Sequence, residues 1–475
     1  MDLSESELDI SLSLRDALSR ARTAYASARM PNVQARRDAL AQLDRLLTDN
    51  VADITAAISA DFGNRSNHET KLLEIFPARA AVHDARRHVK SWMKPKRSWA
   101  SMWFLPARTE LRPQPLGVIG IIVPWNYPVL LAVAPLAGAL AAGNRVMIKM
   151  SEFTPKTGEL FAQLIAKYFS PDHVTVVNGG ADVAREFSAL PFDHLLFTGS
   201  TEVGKQVMRA AAENLTPVTL ELGGKSPAII GPECKIDEAA EKILFGKCLN
   251  AGQTCIAPDY VLLPRAREQA FAVAAQAVVA RMYPTLANNP DYTSIVNPRH
   301  LERLKGYLHD AVARGATVLP MSPANESLEN TQKIAPTLVA NVTDDMRVMQ
   351  EEIFGPILPL VPYDNLDDAI AYVNARPRPL ALYYFGNFDD HIQRVLNETV
   401  AGGVTVNDAL LHISQDHLPF GGVGPSGMGS YHGKFGFDTF SKLKPIYHQP
   451  ALNGLSLFKP PYGKRFDSLI KFLLK

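Results

Sequence analysis

Cysteine is scarce. Cys234, Cys248 and Cys255 are the only three in 475 residues, too few for a disulfide framework and without the paired spacing of a zinc site. A reducing compartment is expected, and the cytoplasm is the expected location. An excess of either charge is also missing. The formal net charge of +1 gives no electrostatic reason to bind nucleic acid or an anionic membrane. No hydrophobic run is long enough to span a bilayer. The most apolar, Val129 to Gly143, is about 15 residues and contains Pro135 and Gly138. Met1-Asp2-Leu3-Ser4-Glu5-Ser6-Glu7 is acidic and lacks the apolar stretch of a secretory signal. The twelve histidines show no ligand spacing, so no metal is expected.

What is present is an ordinary globular composition, 47% hydrophobic and 20% charged, in a chain too long for a single core. Leu40, Leu43, Leu46, Leu47, Ile54 and Ile58 recur at helical spacing, as does the run from Glu69 to Trp92. Lys94-Pro95-Lys96-Arg97 ends that pattern. The stretch from Trp99 to Pro113 reads as a surface hairpin or an interaction arm.

From Gly117 the pattern changes to strands alternating with helices. Strands are expected at 117–123, 145–149, 174–177, 194–198 and 218–221. Such alternation implies a parallel sheet with right-handed crossovers, whose ligands sit beyond the carboxyl ends of the strands. Asn126, Lys149, Glu152, Ser200 and Glu221 collect at those ends, which points to a binding face. Gly199-Ser200-Thr201-Glu202-Val203-Gly204-Lys205 fits a phosphate loop until Gln206 replaces the residue that would hold magnesium. What remains is a glycine turn opening a helix whose N–H groups can face a pyrophosphate. Gly422-Val423-Gly424-Pro425-Ser426-Gly427 fits the dinucleotide fingerprint formally. It has no clear strand before it and no crossover helix after it, so it reads as a tight structural loop. Gly223-Gly224 is a natural hinge into a second α/β series, with strands expected at 226–230, 260–263, 358–362, 381–385 and 403–406.

Asn250-Ala251-Gly252-Gln253-Thr254-Cys255-Ile256-Ala257-Pro258 places a thiol on a polar turn with small neighbours. An exposed nucleophile and a packed cysteine are both compatible with that spacing. Cys255 and the strand-end residues fall in different halves, so a cleft between domains is expected. Glu351-Glu352-Ile353-Phe354-Gly355-Pro356 is either a solvated acidic turn or part of that cleft. A cysteine–histidine hydrolase stays open, since partners meet in space rather than in sequence.

Taken together, seven blocks resemble the aldehyde dehydrogenase superfamily over nearly the whole chain. They are Pro124-Trp125-Asn126, Lys149-Met150-Ser151-Glu152, Phe197-Thr198-Gly199-Ser200, Leu220-Glu221-Leu222-Gly223-Gly224-Lys225, Gly252-Gln253-Thr254-Cys255, Glu351-Glu352-Ile353-Phe354-Gly355-Pro356 and Pro419-Phe420-Gly421-Gly422. The stretch Tyr431 to Ser441 resembles the class 3 branch. Within it, Asp61 to Ser66, Trp92 to Pro95 and Cys255 to Tyr260 are most similar to bacterial coniferyl aldehyde dehydrogenases.

The resemblance implies a two-domain α/β fold, with a Rossmann-like cofactor domain (1–98 and 114–222) and an α/β catalytic domain (223–410). An oligomerisation arm with a bridging segment (99–113 and 411–450) and a tail helix (451–475) complete it. It further implies Cys255 as nucleophile, Asn126 as oxyanion donor and Glu221 as the base that activates water. Lys149 and Glu152 are implied at the adenosine ribose, and Gly199, Ser200 and Gly204 at the pyrophosphate. Glu352 is implied at the nicotinamide ribose and Phe354 beside the nicotinamide. NAD is the expected cofactor, with NADP open, because Met150 stands where many members have proline. The expected substrate is an aromatic aldehyde resembling coniferaldehyde, and the expected assembly is a homodimer. An aliphatic aldehyde dehydrogenase, a cofactor-free cysteine esterase, an enzyme acylating coenzyme A and a non-catalytic binding protein are the alternatives. Phe466, Leu469, Ile470, Leu473 and Leu474 form an apolar stripe, expected as a packed terminal helix or a lid over the substrate entrance.

Overall fold

In a computed structural model that describes residues 5–453 and 458–474, the N-terminal leucine period becomes a layer of helices. Val33–Asp49 buries Leu40, Leu43, Leu46 and Leu47 along one face, and the Asn32 side chain starts it by accepting the Ala35 N–H at 2.9 Å. Val51–Phe62 follows, then Asn67–Thr70 and Phe76–Trp92. Between the last two lies a π-helical turn, Lys71–Ile75, in which the Phe76 N–H bonds the Lys71 carbonyl. These helices pack around Leu130–Ala142, whose residues are buried on every side except at Leu130. A helix apolar all round is a core helix, which is the fate of the most hydrophobic run in the sequence.

The first sheet has six strands in the order Gly427–Met428, Val218–Glu221, His194–Thr198, Val118–Ile122, Arg145–Lys149 and Val174–Val177. All neighbours are parallel except the first pair. Val118–Ile122 and His194–Thr198 are buried along their whole length, as strands covered on both faces must be. The second sheet has seven strands, in the order Thr317–Pro320, Thr337–Ala340, Ile357–Tyr363, Tyr260–Pro264, Pro227–Ile230, Ala381–Phe385 and Gly403–Val406. Gly223-Gly224 lies between the last parallel strand of the first sheet and the first strand of the second. The fold class is therefore α/β with two sheet-centred units.

Three details differ from the sequence reading. Thr317–Pro320 and Thr337–Ala340 extend the second sheet, and Gly427–Met428 closes an edge of the first. The 422–427 loop is indeed structural: its Ser426 carbonyl accepts the Leu222 N–H at 3.1 Å, next to Glu221. The expected excursion is a hairpin of Lys96–Trp99 and Arg108–Pro115, longer than 99–113 because Ser441–His448 pairs with it from Pro115 to Arg108. The tail helix Lys464–Leu473 exists, but none of its side chains is buried. It is not a helix packed into its own chain's core. Phe472 instead meets the edge of Trp103, in the exposed hairpin loop, at 6.3 Å between ring centres. Among the described residues no helix is long and apolar enough to cross a membrane.

Candidate active site

The helix Ile236–Cys248 ends in a turn that few sequences adopt. Asn250 and Ala251 both have φ of 51°, and Gly252 follows at 73°. Left-handed conformations in successive non-glycine residues cost energy and persist only where surrounding contacts impose them. Here the Asn250 N–H donates to Glu69 Oε2 at 3.0 Å. Gln253 Nε2 donates to the Asn250 and Ser294 carbonyls, each at 3.0 Å, and Gln253 Oε1 accepts the Val296 N–H at 3.0 Å. Gly252 is required sterically as well, since a Cβ there would lie 2.3 Å from the Gly355 carbonyl oxygen. The product of this constraint is Cys255, half-buried on the wall of a cavity of about 1020 Å³. Cys234 and Cys248 are buried and neither lines that cavity, so only Cys255 is placed to meet a ligand in it.

Glu221 lines the same cavity. It ends the strand Val218–Glu221, and neither carboxyl oxygen has a hydrogen-bond partner among the described residues. Burial alone pushes its pKa well above the usual carboxyl value. The Cys255 thiol is pushed up to about 12, first by burial and then by the nearby Glu352 and Glu221 carboxyls; the Cys255 and Ile256 N–H groups oppose the shift.

Asn126, just past the first strand of the parallel sheet, is buried. Its Nδ2 donates to the Gln253 carbonyl at 3.2 Å, and its own carbonyl accepts Asn250 Nδ2 at 3.1 Å. Beside it, the Tyr127 and Thr254 hydroxyls bond at 2.7 Å. The amide is therefore tied to the Cys255 turn, with a second N–H left over for an oxyanion. Phe76, Leu130, Leu249, Phe420 and Tyr431 give the cavity an apolar wall, suited to a ring-bearing substrate.

Asn126 itself is not among the residues that wall the cavity, and the other expected site residues also lie outside it, at strand ends of the first sheet and on the second unit. Lys149 Nζ donates to the Gly179 carbonyl at 2.7 Å and to Glu152 Oε2 at 3.5 Å, and burial lowers its pKa. Met150 is buried, and its N–H bonds the Val177 carbonyl at 3.0 Å, a bond that proline could not make. Ser200 caps Thr201–Ala212, and Gly204 brings that helix close against Leu222. Glu352 is pushed to about 8, chiefly by burial and then by Asp259. Its carboxyl occupies the space a Gly223 side chain would need. Phe354, at φ 50°, sets its ring against Trp125 at 5.3 Å. A strand-end Lys–Glu pair, a helix start capped by Ser200, and the half-buried Glu352 carboxyl together suit a dinucleotide.

Several charged residues of the site were not singled out from the sequence. Arg65, Glu69 and Glu74 are buried under the Asn126 and Cys255 turns. Lys247 is buried with no hydrogen-bond partner for Nζ among the described residues; burial lowers its pKa to about 8 against Asp259 at 3.9 Å. For Glu74 and Lys247 the available signal was a charge within an otherwise apolar run; Arg65 and Glu69 stand in a polar stretch that gave none.

Comparison with known proteins agrees with this geometry. Residues 11–446 match the model of the "Aldehyde dehydrogenase family". The chain is 54% identical over 468 residues to a probable coniferyl aldehyde dehydrogenase of Pseudomonas aeruginosa, covering 98% of this chain and 97% of that protein. It is 50% identical over 467 residues to the coniferyl aldehyde dehydrogenase of Pseudomonas sp. strain HR199, covering 97% and 96%. Among solved structures, the substrate-bound AldH of Staphylococcus aureus superposes with a TM-score of 0.91 at 38% identity, covering 97% of this chain and 99% of that one.

Proposed function

Because the chain belongs to the aldehyde dehydrogenase family, we propose that it oxidises an aromatic aldehyde of the coniferaldehyde type to its acid, with Cys255, Asn126 and Glu221 as the reacting set. It is a nicotinamide-dependent enzyme. The observation that carries the reading is the shared apolar cavity walled by both Cys255 and Glu221, onto whose thiol turn the Asn126 amide is tied.

In the proposed sequence the Cys255 sulfur, as thiolate, bonds to the aldehyde carbon, and the carbonyl oxygen becomes an oxyanion. The Cys255 N–H and the Asn126 amide donate to it; removing one such donor typically costs about 10²–10³ in rate. The bound oxidised nicotinamide ring supplies the hydride acceptor and a positive charge that favours the thiolate. The thioester left on Cys255 is then attacked by water, whose proton goes to the Glu221 carboxylate. The sulfur–carbon bond breaks and the acid leaves. A raised carboxyl pKa suits this base role near neutral pH.

Lys149 and Glu152 hold the adenosine ribose in this reading, Gly199, Ser200 and Gly204 face the pyrophosphate, and Glu352 and Phe354 attend the nicotinamide end. Glu152 beside Lys149 favours free ribose hydroxyls over a 2′-phosphate, hence NAD. The hairpin 96–115 with Ser441–His448 serves as the dimer arm, and the enzyme works in the cytoplasm. The substrate assignment follows the names of the two Pseudomonas relatives and the apolar cavity. Its test is kcat/KM for coniferaldehyde, benzaldehyde and long-chain aliphatic aldehydes: coniferaldehyde should lead, and a preference for the aliphatic series rejects it. Turnover that persists without NAD would instead favour the esterase.

A further inference from the structure

Between Phe62 and Phe76 runs a segment that no step above uses, yet it buries three charged side chains, Arg65, Glu69 and Glu74. Arg65 Nη1 donates to Glu74 Oε1 at 2.8 Å and to the Asn126 carbonyl at 2.8 Å. Glu74 Oε2 accepts the Val129 N–H at 2.7 Å and the Leu130 N–H at 3.1 Å. The pair therefore grips the 126–130 turn at both ends. The Arg65 guanidinium also lies over the Phe62 and Tyr127 rings, at 5.2 and 4.8 Å. Glu69 Oε2, from the same segment, takes the Asn250 N–H and the Thr293 hydroxyl, each at 3.0 Å.

Side chains five residues apart on a regular α-helix project about 140° apart. The π-helical turn Lys71–Ile75 begins after Glu69 and contains Glu74; it changes that angle, so one segment reaches both the 126–130 turn and the Cys255 turn. Such turns are frequent at functional sites.

We propose that Arg65, paired with Glu74, is the positioning element for the oxyanion donor: it fixes the Asn126 peptide so that the side-chain amide stays on the Gln253 carbonyl of the Cys255 turn. The inference rests on the oxyanion role given to Asn126 above. A purely structural ion pair explains the arrangement less well. Buried pairs add little stability compared with apolar replacements, and Arg65 Nε and Nη2 have no hydrogen-bond partner among the described residues. What the pair does connect is the Asn126 turn. Misplacing a reacting group by 1 Å can cost on the order of 10²-fold in rate, so rigidity here has a kinetic use.

The test is a mutant cycle on the full chain, read by single-turnover formation of reduced NAD with coniferaldehyde. Asn126→Ala should slow that step about 10²-fold; a normal rate overturns the oxyanion assignment itself. Arg65→Met with Glu74→Gln removes both charges but keeps an acceptor for the Val129 and Leu130 N–H groups. It should slow the same step about tenfold or more with NAD affinity unchanged. The triple variant should be no slower than Asn126→Ala, because one donor cannot be lost twice. Losses that multiply, or an Arg65/Glu74 variant at the parental rate while Asn126→Ala is slow, overturn the positioning role alone. Arg65→Lys is the second variant should the first not fold. It keeps a charge against Glu74 without the planar fork, and the same non-additivity with Asn126→Ala is expected of it.

Discussion

Glu221 is a carboxyl with no hydrogen-bond partner among the described residues, in an apolar wall beside a thiol. Its pKa is raised, so it is protonated where an ordinary glutamate is charged, and the base form appears only as pH climbs. Deacylation should therefore quicken with rising pH through a value above the usual carboxyl range. In Glu221→Gln that rising limb should vanish from the pH profile of kcat; a limb that persists would assign it to another group. Glu152 beside Lys149 sets the other residue-scale expectation. Glu152→Gln should improve kcat/KM for NADP relative to NAD by about tenfold, since a like-charge repulsion of roughly 1–2 kcal/mol is removed. An unchanged ratio places the preference elsewhere. The residues proposed to react could be picked out of the sequence because each stands inside a contiguous motif at a strand end or turn. Arg65 and Glu69 could not be, because the turns they hold, at Asn126 and Asn250, lie far along the chain.

At the scale of elements, the parallel strands were legible almost to the residue, since a strand buried on both faces is written as an unbroken apolar run. The short Gly427–Met428 strand was not, because its pairing with Val218–Glu221 depends on a loop returning from a distant part of the chain. The turn before Cys255 was legible as a turn but not as three left-handed residues, which are imposed by Glu69, Gln253 and Asn126 rather than by local preference. That turn should be intolerant of side chains. Gly252→Ala combines a positive φ with a clash against the Gly355 carbonyl, and should cost about 1–3 kcal/mol of stability. It should also slow acylation by Cys255, measured as single-turnover rate beside the urea midpoint. Normal kinetics in a destabilised variant would mean that the turn serves folding alone.

Across the whole molecule, Cys255 and Glu221 come from different halves of the sequence and wall one cavity, as a shared site required. The surface was harder to read. Trp99, Met102, Trp103, Phe104 and Leu105 are all exposed around the hairpin, and the tail helix touches that cluster without burying a side chain. Which copy of the chain an apolar stripe meets is not encoded in its period, so helix and hairpin were recognisable while their packing was not. Exposed aromatics on this scale are a feature of interaction surfaces, in keeping with the proposed dimer. Trp103→Glu should shift the sedimentation of the full chain from dimer towards monomer, and an unchanged dimer would move the interface away from the hairpin.

All of this depends on Cys255 forming the bond to substrate and Glu221 releasing it. The most direct measurement is intact and peptide mass spectrometry of Glu221→Gln after mixing with NAD and coniferaldehyde, with Cys255→Ala alongside. A covalent acyl group on the Cys255 peptide that builds up faster than it hydrolyses, and no adduct or turnover in Cys255→Ala, is the expected result. Acid formation by Cys255→Ala, or an adduct on any other residue, would contradict it.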